Sequence, residues 1–401
     1  MNRYRVLSLD GGGSWALIEV KALINLFGEQ TSGHDVLREF DLVAANSGGS
    51  IVLGCLVENF TLGDILNKCF LDETKRRSIF SKTNLIGDRV LSDLTGLGPK
   101  YSAKNKLPAL QRVLSGQGNK PLGEAIDGVL GHRGVGDTVR LLITSFDYDR
   151  CRATFFRSKT SGGPAYGTGA SATLTLAEAI HASTNAPVNY FDGPAEFPDS
   201  PDRYWDGAIS GCNNPVLVGV TEAITTTQEF EQVIALSLGS ASVALPWPQP
   251  GQEGSPYVQQ RSAEGLVNDL EKLSTAILDD PPDMATFLAH VMTGSGAGVN
   301  APGVADSQIV RMNPLISPVW DGAALQWTAP AGLTLAQFHA LAALGMDAIE
   351  QHDVETIADY ADQWLKDQVP NQPVRMDGDT LHREIGQTTF SAARAAWNAI
   401  S

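Results

Sequence analysis

Three short segments carry residue types that can do chemistry. The first is Ala45-Asn46-Ser47-Gly48-Gly49, between a strand-like apolar run and a helix-like one. A serine on such a turn is held outward above a sheet edge, as in the serine elbow G-x-S-x-G, with Ala45 here in place of the first glycine. The helix N-terminus that follows sets free N–H groups and the positive end of a dipole beside Ser47. The same residues also describe an N-cap serine in a glycine turn. The second segment, Asp10-Gly11-Gly12-Gly13, ends another strand-like run. Consecutive glycines let bare N–H groups converge on one negative charge, in an oxyanion hole or a phosphate cradle. A tight turn with no ligand uses the same residues. The third is Tyr204-Trp205-Asp206-Gly207-Ala208, continuing to Asn213-Asn214-Pro215. Asp206 at a strand end can accept a serine proton directly, and Gly207 permits close backbone approach. Asp-Gly is also a common turn, and the chain has others at Asp127, Asp192, Asp321 and Asp377.

The elements that must position these segments read as alternating strands and helices. Strands are predicted over Val6 to Leu9, Phe40 to Ala45, Val139 to Phe146, Ala153 to Phe156, Tyr204-Trp205, Val233 to Leu238 and Gln308 to Met312. Helical spacing runs from Leu17 to a stop near Gly28, over Ser50 to Asn59, Leu174 to Ala182, 257 to 290, Leu335 to Glu350 and Val354 to Trp364. Residues 60 to 135 read as helical but loop-rich, with a basic cluster Lys75-Arg76-Arg77 expected on a solvated face; 294 to 306 form a Gly/Ala/Asn loop. The alternation predicts an α/β sheet covered on both faces. Pro246, Pro248 and Pro250 mark a departure, so residues 1–245 are expected as the main α/β domain and 246–401 as a mostly helical extension with one strand near 308–312.

Composition narrows the function classes. The 401 residues are 43% hydrophobic and 18% charged, with a net charge of −16. This excludes a disordered chain. It also argues against nucleic acid, whose phosphates are bound by cations, and against electrostatic docking on an anionic bilayer. Cys55, Cys69, Cys151 and Cys212 form no C-x-x-C pair, so four reduced thiols are expected rather than a disulfide framework or a zinc site. No apolar run approaches the roughly 18 residues that span a bilayer. Met1 to Arg5 lead straight into an apolar run closed by Asp10, which leaves no room for a signal peptide. The expectation is a cytoplasmic protein.

In this order the three segments resemble the patatin-like phospholipase family, whose pattern is a DGGG loop followed by a basic residue, a G-x-S-x-G elbow, and an aspartate in D-G-[GA]. Lys100-Tyr101-Ser102, Ala182 to Pro187 followed by Phe191, Asn213-Asn214-Pro215 and Leu236 to Gly239 are similar too, with a weaker echo at Arg311-Met312-Asn313-Pro314. The resemblance covers about residues 1 to 245. It implies a three-layer α/β/α fold and hydrolysis of lipid acyl esters by a Ser–Asp dyad. By carry-over, Ser47 is the nucleophile, Asp206 the general base and Gly11, Gly12 and Gly13 the oxyanion donors; Asn46, Gly48, Gly49 and Gly207 support the elbow. No metal or organic cofactor is implied. The expected partners are a lipid or other ester substrate and, transiently, a membrane surface. The family's basic residue after the glycines is absent; Ser14-Trp15-Ala16 follow, and Trp15 offers no cation to an anionic headgroup.

Two other readings stand beside this one. A hydrolytically inactive lipid- or effector-binding relative is suggested by Trp15. An actin-like sugar kinase is suggested by Asp10 to Ser14, with Gly239 and residues 294 to 304 as stand-ins for its other nucleotide loops. A Ser-His-Asp triad would need His34, His132, His181, His290, His339, His352 or His382 beside Ser47, and none has a triad context. His181 is expected as a packed helix residue. Trp15, Phe60, Phe70, Ile79 and Phe80 are candidates for an acyl pocket, or for ordinary core.

Overall fold

The computed structural model describes residues 3–79, 100–132, 138–158, 174–187, 190–198, 200–226, 231–260, 283–293, 307–375 and 384–401. Among these residues, eight strands make one mixed sheet: β1 (Arg3–Leu9), β2 (Leu42–Ala45), β3 (Arg140–Asp147), β4 (Arg152–Arg157), β5 (Ala195–Phe197), β6 (Ser200–Asp206), β7 (Gln232–Leu238) and β8 (Ile309–Met312). The order is β5-β6-β3-β2-β1-β7-β8, with β4 also on β3. β3, β2, β1, β7 and β8 run parallel; β4 and β6 are antiparallel to β3, and β5 is antiparallel to β6.

Alternation along the parallel strands assigns their two faces, as a period of two requires. Leu7, Leu9, Val43, Ile143 and Leu236 pack beneath helices Leu17–Phe27, Ser47–Val57, Leu176–Ser183, Gln351–Leu365 and Phe390–Ile400. Tyr4, Val6, Leu42, Ala44 and Ala235 face helices Val216–Thr226 and Asp283–Met292. The molecule is therefore a three-layer α/β fold with a largely helical C-terminal region. That region is built into the core: Trp364 is fully buried against Phe390, and Trp397 stacks on Phe40 at 5.9 Å.

Most predicted elements stand, with shifted ends. Helix Leu17–Phe27 stops where expected, at Gly28, whose φ of +99° a side chain would resist. The predicted helix over 335 to 350 ends at Ala342, and 343 to 350 run as an irregular strap. Gly345 lies just beyond that end, and the strap's carbonyls bond to other segments instead of continuing the helix. The sequence reading missed helix Val216–Thr226, strand β5, and the hairpins Val319–Asp321 with Gln326–Thr328 and Val374–Arg375 with Glu384–Ile385. Of the predicted helix over 257 to 290, residues 257 to 260 are not helical and 283 to 290 lie in helix Asp283–Met292; 261 to 282 and the 294 to 306 loop lie outside the described residues. The fold also brings the Cys55 and Cys69 sulfurs to 3.5 Å as free thiols.

Candidate active site

β1 has parallel neighbours on both sides, β2 on one and β7 on the other. The connections diverge there, which leaves a crevice beyond the carboxyl ends of the strands. Three loops rise around it: Asp10 to Gly13 after β1, Asn46-Ser47 after β2, and Gly239 to Ala241 after β7. β2 ends with Ala45 opposite Ile143 of β3. β4 occupies the other edge of β3, so β6 takes the edge that β2 has left, with Asp206 opposite Ser145. This handover of one strand edge carries Asp206 to the elbow.

Ser47 has φ +44°, in the region L side chains rarely adopt. Its strain is held by bonds on every side. Asn46 N donates to the Leu9 carbonyl at 3.1 Å, Ser47 N to Ser183 Oγ at 2.9 Å, and Gly49 N to the Asp10 carbonyl at 2.9 Å. A Cβ on Gly48 would lie 2.6 Å from the Gly13 oxygen and 2.7 Å from its nitrogen, so only glycine lets elbow and loop touch. The Asp206 carboxyl lines one cavity with Ser47, and its pKa responds to the Ser47 hydroxyl. It also accepts from Ala208 N at 2.9 Å and Asn46 Nδ2 at 3.1 Å, while Thr144 Oγ1 donates to Asn46 Oδ1 at 2.6 Å and orients that amide. Burial raises the Asp206 proton affinity above the ordinary carboxylate range; the bonds from Ala208, Ser47 and Asn46 and the nearby Lys106 only partly oppose it.

The glycine loop is clamped from behind. Arg311 on β8 grips both Asp10 carboxylate oxygens, at 2.8 and 2.5 Å, and donates to Ser237 Oγ at 2.8 Å. Asp10 N donates to Glu19 Oε1 at 2.6 Å, and burial holds the Glu19 carboxyl well above its usual pKa. The loop's amides divide by use. Gly11 N donates to the Asn213 carbonyl at 2.8 Å and Ser14 N to the Met346 carbonyl at 2.9 Å. Those of Gly12, Gly13 and Gly48 have no acceptor among the described residues. The sequence reading grouped Gly11 with the free donors; its N–H is instead used to hold Asn213.

A cavity of about 210 Å³ opens over this constellation, lined by Gly11, Gly12, Ser47, Asp206, Asn213 and Ser240 among others. Among the described residues, none that lines it is histidine, lysine or arginine. A second cavity, about 20 Å³, touches Ser47 from another side, against Ile51, Lys106, Phe191 and Met346. His181 is a packed residue behind the site, edge-on to Phe197, and burial lowers its pKa well below the usual value.

Of the acyl-pocket candidates, Trp15 lines the larger cavity, while Phe60 and Phe70 belong to the core. Phe80 and the Ile79 side chain lie outside the described residues. The basic cluster is divided: Arg77 is exposed and pairs with Glu73 and Glu350, whereas Arg76 is buried and donates to the Phe70 and Ile349 carbonyls and to Gln351 Oε1. Lys106 escaped the sequence reading, although it follows Ala103 by three residues and precedes Leu110 by four, on a buried helix face. Met346 escaped because a continuous helix was expected there.

A mixed α/β sheet with a strained serine elbow at its crevice defines the class: an α/β protein built on the strand–elbow–helix plan. The chain belongs to the patatin-like phospholipase family, whose sequence model matches residues 7–220. That membership makes it a member of a family of lipid acyl hydrolases. No curated protein matches the chain. Among solved structures, VipD from Legionella pneumophila is 11% identical, with a TM-score of 0.32 over 90% of this chain and 67% of that one. A chain from the complex of SpcU with ExoU from the type III secretion system of Pseudomonas aeruginosa is 13% identical, with a TM-score of 0.26 over 71% of this chain and 51% of that one. The type III effector protein ExoU is also 13% identical, with a TM-score of 0.26 over 90% and 54%. No described helix is long and apolar enough to cross a membrane, and no described group of three or more His, Cys, Asp or Glu side chains could hold a metal.

Proposed function

We propose that this protein hydrolyses carboxylic esters of lipids with Ser47 as nucleophile and Asp206 as general base. The observation that carries the reading is that Ser47 and a fully buried Asp206 carboxyl, whose proton affinity is raised, line one cavity. Ser47 Oγ attacks the ester carbonyl carbon as its proton passes to Asp206. The bond to the alcohol oxygen then breaks, the alcohol leaves with that proton, and the acyl group stays on Ser47. Water next gives a proton to Asp206, attacks the acyl carbonyl and releases the carboxylic acid, and Ser47 recovers its hydrogen. The N–H groups of Gly12, Gly13 and Gly48 receive the negative oxygen that forms in each half; one such donor is worth on the order of 10²–10³ in rate.

A cavity with no lysine or arginine among the described residues that line it, in a chain of net charge −16, favours an uncharged acyl ester over an anionic headgroup. Trp15, in the place of the family's basic residue, donates Nε1 to the Gly345 carbonyl at 3.1 Å and walls the cavity. Residues 246–401 complete the site by supplying this strap. A fluorophosphonate probe followed by peptide mapping tests the reading: label on Ser47, lost in S47A and slowed in D206N, is expected. Label elsewhere, or undiminished ester turnover in S47A, contradicts it.

A further inference from the structure

We infer that the Met346 side chain is the specificity-determining gate between the two cavities that meet at Ser47, and that it sets the length of acyl chain the enzyme accepts. The inference rests on the acyl-hydrolase reading above. Ser47, Tyr190 and Met346 line both cavities, so these side chains form the partition between them. The larger cavity carries the polar groups, Asn213, Ser240, Ser242 and the Gly12 backbone, and suits the ester and its alcohol. The smaller has walls of Ile51, Ala186, Phe191, Tyr190 and Met346, a surface for a hydrocarbon tail. The one charged side chain among its described lining residues, Lys106, is covered: Nζ donates to Asn185 Oδ1 at 2.8 Å and sits 3.9 Å from the Phe191 ring centroid. At about 20 Å³ this space holds roughly one water, so a tail enters only if the partition yields.

Of the shared side chains other than Ser47, methionine is the one built to yield, being unbranched and adaptable. Its backbone is fixed. The Met346 carbonyl accepts Ser14 N, the neighbouring Gly345 carbonyl accepts Trp15 Nε1, and the adjacent Asp347 carboxylate accepts the Tyr101 hydroxyl at 2.7 Å. Glu350 further along pairs with Arg77 at 2.6 Å. The strap therefore stays in place while the thioether swings, and a side-chain substitution leaves these bonds intact.

The test measures kcat/KM on p-nitrophenyl butyrate, octanoate and laurate for the wild type, M346A, M346L and M346F, with melting curves to show that each is folded. M346A removes Cγ, Sδ and Cε and joins the cavities. The laurate-to-butyrate ratio is expected to rise roughly tenfold or more, the scale of a few methylenes gaining or losing a pocket. M346F is expected to lower the ratio and M346L to keep it. An unchanged ratio in M346A, or the same direction of change in M346A and M346F, overturns the gate. Ester turnover undiminished in S47A would instead remove the acyl-hydrolase reading itself, so the two failures are distinguishable.

Discussion

Asp206 stores the tension between stability and chemistry at the scale of a single residue. Burial raises its folded-state pKa above the ordinary carboxylate value, so the ionised form that can accept a proton is disfavoured in the fold. Two outcomes follow from that sign. The acid limb of kcat/KM should lie above the usual aspartate range, with activity lost as pH falls through it, and a pH profile measures this directly. Replacing Asp206 with Asn should lower turnover by about 10⁴ or more. It should also raise the melting temperature at neutral pH, because the buried charge is gone. That gain should vanish as pH falls below the ordinary carboxylate pKa, where the wild type is protonated in both states. Gly48 is the other sensitive position: a Cβ there drives the elbow off the Gly13 backbone. G48A is therefore expected to lose about 10²-fold in kcat, the scale of a displacement of about 1 Å. At this scale much was legible. The small residues around Ser47 and the glycines after β1 announce tight backbone contact whatever the fold. The fate of Gly11 was not legible, since its acceptor, the Asn213 carbonyl, lies far along the chain.

Individual elements aim these residues. Helix Leu176–Ser183 begins with a capping box in which the Thr175 side chain accepts Glu178 N and Glu178 accepts Thr175 N. It ends at Ser183, whose Oγ receives the Ser47 N–H. T175A should cost about 1 kcal/mol in denaturant unfolding while sparing most of the turnover. S183A leaves a buried N–H unsatisfied beside the elbow and should cut kcat more than T175A does, which parallel kinetics would show. The apolar spacing of this helix was readable from local sequence, though its Thr175 cap was read as part of the helix; β1, β2 and β7 were readable too, because those strands are buried on both faces and read as continuous apolar runs. β5 was not: three residues with a polar centre gain their strand character only by pairing with β6. The strap over 343 to 350 was missed for a similar reason. Ala, Leu and Met at helical spacing favour a helix, and the tertiary bonds to Ser14, Trp15 and Tyr101 outweigh that preference.

Across the whole molecule, the glycine loop is held by a residue some three hundred positions away. Arg311 and Asp10 form a bidentate pair with both side chains almost wholly buried. Removing one partner leaves an unpaired buried charge, so R311M should lose roughly 3–5 kcal/mol in chemical denaturation, and the double variant with D10N should recover most of it. The sequence offered only an echo of this clamp in Arg311 to Pro314, since nothing local tells an arginine that its partner is on the first loop. The layered α/β plan was legible because it follows from strand and helix alternation. The handover of β3's edge from β2 to β6, which delivers Asp206, is a property of sheet topology and appears only in three dimensions. The central claim is that Ser47 becomes acylated with help from Asp206, and the most direct measurement is mass spectrometry of the protein quenched during turnover of a slow ester. An acyl adduct on the peptide containing Ser47, absent in S47A and greatly slowed in D206N, is the expected result. An unmodified Ser47 peptide throughout turnover, with product still released, would contradict the account.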